Sequence, residues 1–140
     1  MKSKTHIISL NLADPFGVAP YTRSKKQVVI LTLDDGEEIY CGEGSPSKYY
    51  NESLKSVRGA FAKVKKLLVE EEFFFIEALM QKIFEKIPKD NTARAMIEMA
   101  IFDYIGKKLN IPLYKYLGLK PANDKQTSFT IGIDTMEIML

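Results

Sequence analysis

Few side chains in this 140-residue sequence are equipped for chemistry, and their spacing excludes more than it suggests. His6 is the only histidine and Cys41 the only cysteine. A metal held by imidazole or thiolate needs several such ligands brought together, and His6 has no partner of that kind; a solvent-facing residue at the start of a strand is expected. Cys41 has no histidine near it in sequence to take its proton, which favours a packed thiol over a nucleophile. Glu38, Glu43 and Glu52 are not spaced as a carboxylate cage. Gly42-Glu43-Gly44 is shorter than any phosphate-cradling glycine loop, and a turn after a strand accounts for it. Lys63, Lys65 and Lys66 fall where a helix C-terminus favours positive charge. Neither they nor Lys25 and Lys26 are assigned as a catalytic base.

The composition is that of an ordinary soluble globular domain, with 46% hydrophobic and 27% charged residues. Twenty basic residues against 18 acidic ones leave a net charge of +2, too balanced to argue for a nucleic-acid partner. One cysteine forms no internal disulfide, so a reducing compartment is the default. The basic start is followed by apolar residues broken by Ser9, Asn11 and Asp14, so no signal-peptide core is present. Nor does any uninterrupted apolar run approach the ~20 residues of a membrane span. A cytoplasmic protein without membrane or nucleic-acid partners is expected.

The elements that must position any site come next. Residues 7–12 read as a short strand with Ile8, Leu10 and Leu12 on one face. Residues 13–24 read as irregular, because Pro15, Gly17 and Pro20 oppose regular pairing. Residues 27–33 form the strongest strand, Asp34-Asp35-Gly36 is a hairpin signal, and residues 37–41 return as a third strand. A helix capped by Ser53 carries Leu54, Val57, Phe61, Val64 and Leu68 at helical spacing. A second helix runs from 75 to 87 and stops at Pro88. The third, residues 93–105, is apolar on nearly every side and so reads as buried. Its carboxylates have local partners at four-residue spacing, Arg94 for Glu98 and Lys107 for Asp103. Pro112 opens a short last helix closed by Gly118, and a linker follows over 120–125.

Residues 127–133 then read as another strand, and Asp134 with Glu137 as the capping box of a helix carrying Met136, Ile138, Met139 and Leu140. The fold class expected is α+β: a three-stranded antiparallel meander followed by a helical bundle over 1–120. The strand and helix start of 121–140 read as the first βα unit of a second domain.

Residues 93–118, ARAMIEMAIFDYIGKKLNIPLYKYLG, resemble a signature of the mandelate racemase/muconate-lactonizing group of the enolase superfamily. The carrying features are the Ala-rich helix with Phe102-Asp103, then Gly106-Lys107, Pro112-Leu113-Tyr114 and Leu117-Gly118. Asp34-Asp35-Gly36 and Gly42-Glu43 with Pro46 resemble the same family's second and third strands. The resemblance implies an N-terminal capping domain (1–120) and, over 121–140, a linker with the first strand of a truncated (β/α)8 TIM barrel.

Pro15-Phe16, Thr22-Arg23 and residues 127–133 are most similar to the dipeptide epimerases of the L-Ala-D/L-Glu type. That resemblance implies an isomerase removing the proton next to a carboxylate through an enediolate, with Mg²⁺ as cofactor. It puts the lysine bases and metal ligands on later barrel strands, so no catalytic or metal-binding residue is assigned in this chain. The loops over 16–24 and 42–51 are implied to cover the substrate, a dipeptide or other small carboxylate. Arg23 stands where relatives carry a basic residue, and its fork suits a carboxylate; an exposed loop arginine is the competing reading. Thr130 is a candidate hydrogen-bond donor to substrate, against simple strand alternation with Phe129 and Ile131. Pro20 replaces an arginine of some relatives. Tyr49 and Tyr50 are read as packed residues or as an aromatic wall. A homo-oligomer is expected, as is inactivity of these 140 residues alone. The alternatives are an o-succinylbenzoate synthase or cycloisomerase of the same superfamily, or a freestanding cap-like binding domain.

Overall fold

Alternation along one strand decides which way the sheet faces. The computed structural model describes residues 1–18, 21–121, 126–128, 133 and 135–139. It contains β1 (Lys2–Val18), β2 (Tyr21–Asp34) and β3 (Ile39–Gly44), followed by a 3₁₀ turn at Lys48–Tyr50. The helices are α1 (Leu54–Val64), α2 (Leu67–Glu70), α3 (Ile76–Lys86), α4 (Asn91–Leu109), α5 (Leu113–Tyr116) and α6 (Met136–Met139). The strands form one antiparallel sheet in the order β1-β2-β3, the expected meander. Successive strand residues face opposite sides, so Val29, Leu31 and Leu33 share a face, and all three are fully buried beneath the helices.

The first two strands are much longer than expected. The irregular stretch expected over 13–24 is strand at residues 13–18 and 21–24: β1 and β2 pair from Lys2↔Asp34 out to Val18↔Tyr21. The register shifts once, between Asn11↔Lys25 and Phe16↔Arg23. Four residues of β1, 12–15, thus stand against Ser24 alone. Pro15 has no N–H to give a ladder, and it falls inside this bulge, where none is required. Because β3 pairs only with the Val29–Asp34 part of β2, the remainder of β1 and β2 projects as a two-stranded arm.

The third strand also runs further than expected. Gly42 and Gly44 lie within β3 rather than in a turn after it, and both are buried. A Cβ on Gly42 would fall on the Met96 carbonyl oxygen and 2.8 Å from the Ala100 nitrogen. Glycine is there because the backbones of β3 and α4 touch.

The hairpin turn between β2 and β3 is built by its two aspartates. Asp34 Oδ1 accepts the Gly36 N–H at 2.8 Å, and Gly36 takes φ 93°. Asp35 Oδ1 accepts the N–H groups of Glu37 and Glu38, both at 2.9 Å. Its other oxygen accepts the buried Tyr40 hydroxyl at 2.6 Å and lies 2.9 Å from Lys108 Nζ. The Tyr40 hydrogen bond, the Glu38 N–H and Lys108 hold the Asp35 carboxyl well below the usual carboxylate range. Burial, then Asp35, push the Tyr40 hydroxyl up to about 12, so it stays a donor at all ordinary pH. A folded-state pKa below the unfolded value of about 3.9 gives stability that is complete above that value. It is lost as pH falls below it toward the folded-state pKa. Urea midpoints are therefore expected to drop on acidification from about pH 5 to pH 2, and less steeply in Asp35→Asn. Parallel slopes would show that the turn is not the acid-sensitive element.

The helices follow their local signals closely. Ser53 and Ser56 form a reciprocal capping box at 2.9 and 3.0 Å, and Val57, Ala60, Phe61 and Val64 turn inward. The helix does not continue to Leu68 unbroken; it stops at Lys65-Lys66, and α2 restarts with Leu68 still buried. In α3, Leu79 and Ile83 face the core, and Ile87 just past its end is buried too. Gly59 sits inside α1 on the exposed side with open space around a would-be Cβ. Gly59→Ala is expected to stabilise by about 0.5–1 kcal/mol through helix propensity alone; an unchanged or lower Tm would contradict this.

One face of α4 is buried, not its whole circumference. Ala93, Met96, Ile97, Ala100, Ile101 and Ile105 are inside, whereas Ala95, Glu98 and Met99 are exposed. The expected Arg94–Glu98 pair does not form: Arg94 donates to Asn91 Oδ1 and lies 4.5 Å over the Phe84 ring. The Asp103–Lys107 pair does form, at 2.8 Å, and it also closes the edge of β3. Asp103 Oδ2 accepts the Cys41 N–H at 2.8 Å, and Lys107 Nζ donates to the Ile39 carbonyl at 2.9 Å. The ion pair thus occupies hydrogen-bonding positions that would otherwise invite another strand. Cys41 itself is exposed, not packed.

Past α5, the strand expected over residues 127–133 falls largely on residues outside those described, as does Asp134 of the capping box. The short helix after it is present as α6.

Candidate functional site

Strand parity carries the sheet's helix-facing side outward along the projecting arm. Arg23, Lys25 and Gln27 therefore share the face of Val29 and Leu31, but beyond the reach of β3. Opposite them runs the segment from Pro46 to the start of α1. Between the two lies an open cleft of about 840 Å³, lined on the arm by Arg23, Lys25 and Lys26 and across from it by Lys48, Glu52 and Lys55. Ser9 and Gln27, hydrogen-bonded to each other at 3.1 Å, lie in its wall.

The far wall is held in place by backbone and carboxylate bonds. Ser47 Oγ accepts the Tyr49 N–H at 3.3 Å, and its carbonyl accepts those of Tyr50 and Glu52, both at 3.1 Å. Asn51 closes the 3₁₀ turn in the left-handed region at φ 56°. Glu52 then reaches the start of α4, accepting the Thr92 N–H at 3.1 Å and its hydroxyl at 2.5 Å. Asp90, at the N-cap position, makes no side-chain cap, so Glu52 supplies the capping oxygen from another element. Burial pushes the Glu52 carboxyl up, but the bonds from Thr92 and Ser47 outweigh it and hold the group below its ordinary value. This carboxylate is structural.

With Glu52 so engaged, the cleft presents cations. Among the described residues, Lys25, Lys26, Lys48 and Lys55 form no ion pair. Lys55 lies in the first turn of α1, which holds no acidic residue; a cation there opposes the helix dipole. Helix stability does not explain that placement. The arrangement suits an anionic ligand, and Arg23, half-buried in the cleft, brings a planar fork matched to a carboxylate. In the same 3₁₀ turn as Lys48, Tyr49 and Tyr50 are 86% and 69% exposed, edge to face at 5.0 Å. They are not core residues.

Beyond Arg23 the arm touches the chain that follows the helices. Ile133 N–H donates to the Gly17 carbonyl at 2.9 Å. Gly17 pairs with Thr22, one step from Phe16↔Arg23. Thr130, the other sequence candidate, lies outside the described residues. His6 is exposed, its Nε2 3.3 Å from Thr32 Oγ1. No three His, Cys, Asp or Glu residues among those described gather into a metal-binding group, so the described residues do not fit a magnesium site. Nor is any helix of the described chain long and apolar enough to cross a membrane.

Residues 3–118 match the sequence profile described as mandelate racemase / muconate lactonizing enzyme, N-terminal domain. An L-Ala-D/L-Glu epimerase from Bacteroides thetaiotaomicron is 32% identical over 139 residues, covering 99% of this chain and 36% of the relative. The solved substrate-liganded complex of the L-Ala-D/L-Glu epimerase from Bacillus subtilis superposes with a TM-score of 0.85 at 24% identity, over 99% of this chain and 39% of that one. A dipeptide epimerase from Cytophaga hutchinsonii, solved with Mg and the dipeptide D-Ala-L-Val, gives a TM-score of 0.84 at 22% identity over 98% and 38%. The chain therefore spans little more than a third of the length of the relatives it matches.

Proposed function

Since the chain belongs to the mandelate racemase / muconate lactonizing enzyme family through its N-terminal domain, we propose that it is the substrate-capping part of a dipeptide epimerase that prefers acidic dipeptides. The observation that carries this reading is the cationic cleft between the arm and the Pro46–Lys55 segment. An epimerase of this kind abstracts the α-proton of a substrate that already bears one carboxylate. The residues of this chain do other work: Arg23 holds a second carboxylate, the neighbouring lysines draw the anion in, and the closed cap excludes water from the reacting centre. Thr130 supplies a hydrogen bond to the substrate. The base and the magnesium ligands belong to a barrel of which residues 121–140 form the linker and first βα unit. Association of copies is supported by the exposure of the large apolar residues Met99, Leu117 and Leu119.

The test is a screen of α-proton exchange over dipeptides with acidic, neutral and basic second residues, using the longer protein that includes the barrel. The expected result is preference for acidic dipeptides that fades as salt screens the cleft. Equal turnover of all three classes would contradict the role of the cleft. Activity on a succinylbenzoate precursor with none on dipeptides would contradict the epimerase reading.

A further inference from the structure

Gly17 is far from the helical core, yet it has no room for a side chain. A Cβ built on it would meet the carbonyl oxygen of Ile133, with the Ile133 carbonyl carbon at 3.3 Å and nitrogen at 3.5 Å. Its own carbonyl accepts the Ile133 N–H at 2.9 Å. Ile133 is 64% exposed, and its contact with Gly17 is backbone on backbone. It joins the outer end of the arm to the segment after the linker.

We propose that Gly17 is a positioning residue for Arg23. Because it lacks a side chain, the outer end of the arm lies flat against the Ile133 peptide, and that contact fixes where the guanidinium stands. Two features give it leverage. Phe16↔Arg23 is the ladder pair next to Gly17↔Thr22, so a shift at Gly17 passes directly to Arg23. The bulge over residues 12–15 interrupts the ladder on the other side, so the core end of the arm does not by itself hold its outer end in register. A methyl group at residue 17 would lift the arm from Ile133 and swing Arg23 with it. This rests on the reading of Arg23 as the carboxylate holder.

Two readouts test it. Hydrogen exchange on the 140-residue chain needs no substrate: Gly17→Val is expected to speed exchange of the Ile133 amide while leaving protection of the β2–β3 ladder unchanged. Unchanged exchange at Ile133 would overturn the docking. In the longer protein, Gly17→Ala and Gly17→Val are expected to lower kcat/KM for L-Ala-L-Glu by up to about 100-fold, the scale of a misplaced binding group, mainly through KM. In an Arg23→Met background the same substitutions should add almost nothing, since the two act as one unit. Additive losses, or equal losses on neutral dipeptides, would overturn the link to Arg23. Absence of dipeptide turnover by the unsubstituted protein would instead overturn the function on which that link rests, while the exchange result would still stand for the docking.

Discussion

Gly42→Ala is expected to destabilise the chain by about 3 kcal/mol or more, the upper end of what overpacking costs. The added carbon would meet Met96 carbonyl oxygen and carbon and the Ala100 nitrogen, all backbone atoms of α4. Rotamer changes cannot relieve a clash with backbone, so β3 and α4 must separate. That separation exposes Leu31, Tyr40, Met96 and Ala100, now fully or almost fully buried. Gly44 provides the control. A Cβ there would approach Met96 Sδ and Thr92 Cγ2 at 3.3 Å, both the ends of side chains, and methionine adapts readily. Gly44→Ala is expected to cost only about 1 kcal/mol, at the low end of the same range. Urea unfolding of both variants measures the difference; equal midpoints would mean that backbone contact between β3 and α4 does not set the packing. The damage should reach the cleft as well, because α4 holds its far wall through Thr92 and Glu52.

Arg23→Met should weaken catalysis of acidic dipeptides and spare neutral ones. Methionine keeps the apolar reach of the side chain and removes the charge and fork. A hydrogen-bonded charged group contributes about 1.5–3 kcal/mol, which corresponds to a loss of roughly 10- to 100-fold in kcat/KM at 1.4 kcal/mol per decade. L-Ala-L-Gln, equal in shape to L-Ala-L-Glu but neutral at that end, is expected to change by less than about threefold on the same scale. Arg23→Lys should recover only part of the loss, since an ammonium does not reproduce bidentate geometry. Equal losses on the two substrates would place Arg23 in the structure of the arm and not in recognition.

Features written in short stretches of sequence were legible in advance. The Asp34-Asp35-Gly36 turn, the Ser53 cap, the end of α3 near Pro88 and the Asp103–Lys107 pair each depend on residues within a few positions of one another. What escaped depends on residues far apart. Pro15 and Gly17 look like breaks in pairing until the bulge places Pro15 where no donor is needed and Ile133 comes to rest on Gly17. Gly42 and Gly44 carry the same signature as a turn, and only the proximity of α4 distinguishes close approach from chain reversal. Glu52 caps a helix that begins well downstream, so no local spacing announces it. The cleft is assembled from β2, the 3₁₀ turn and α1, so the sequence singles out Arg23 but holds no local spacing that joins Lys25, Lys48 and Lys55 to it. One signal was available: Arg23, Lys25 and Gln27 alternate in phase with Val29, Leu31 and Leu33, which already places them on one face.

In the proposed function this chain supplies the cap and the contact to the substrate's second carboxylate, while the reacting groups lie in a barrel outside these 140 residues. The direct measurement is deuterium incorporation at the α-carbon of L-Ala-L-Glu in D₂O with Mg²⁺, run side by side on the 140-residue chain and on the longer protein. Exchange with formation of the D-Glu epimer by the longer protein, and none by the 140-residue chain, is the predicted result. Exchange catalysed by the 140-residue chain alone, or none by either, would contradict it.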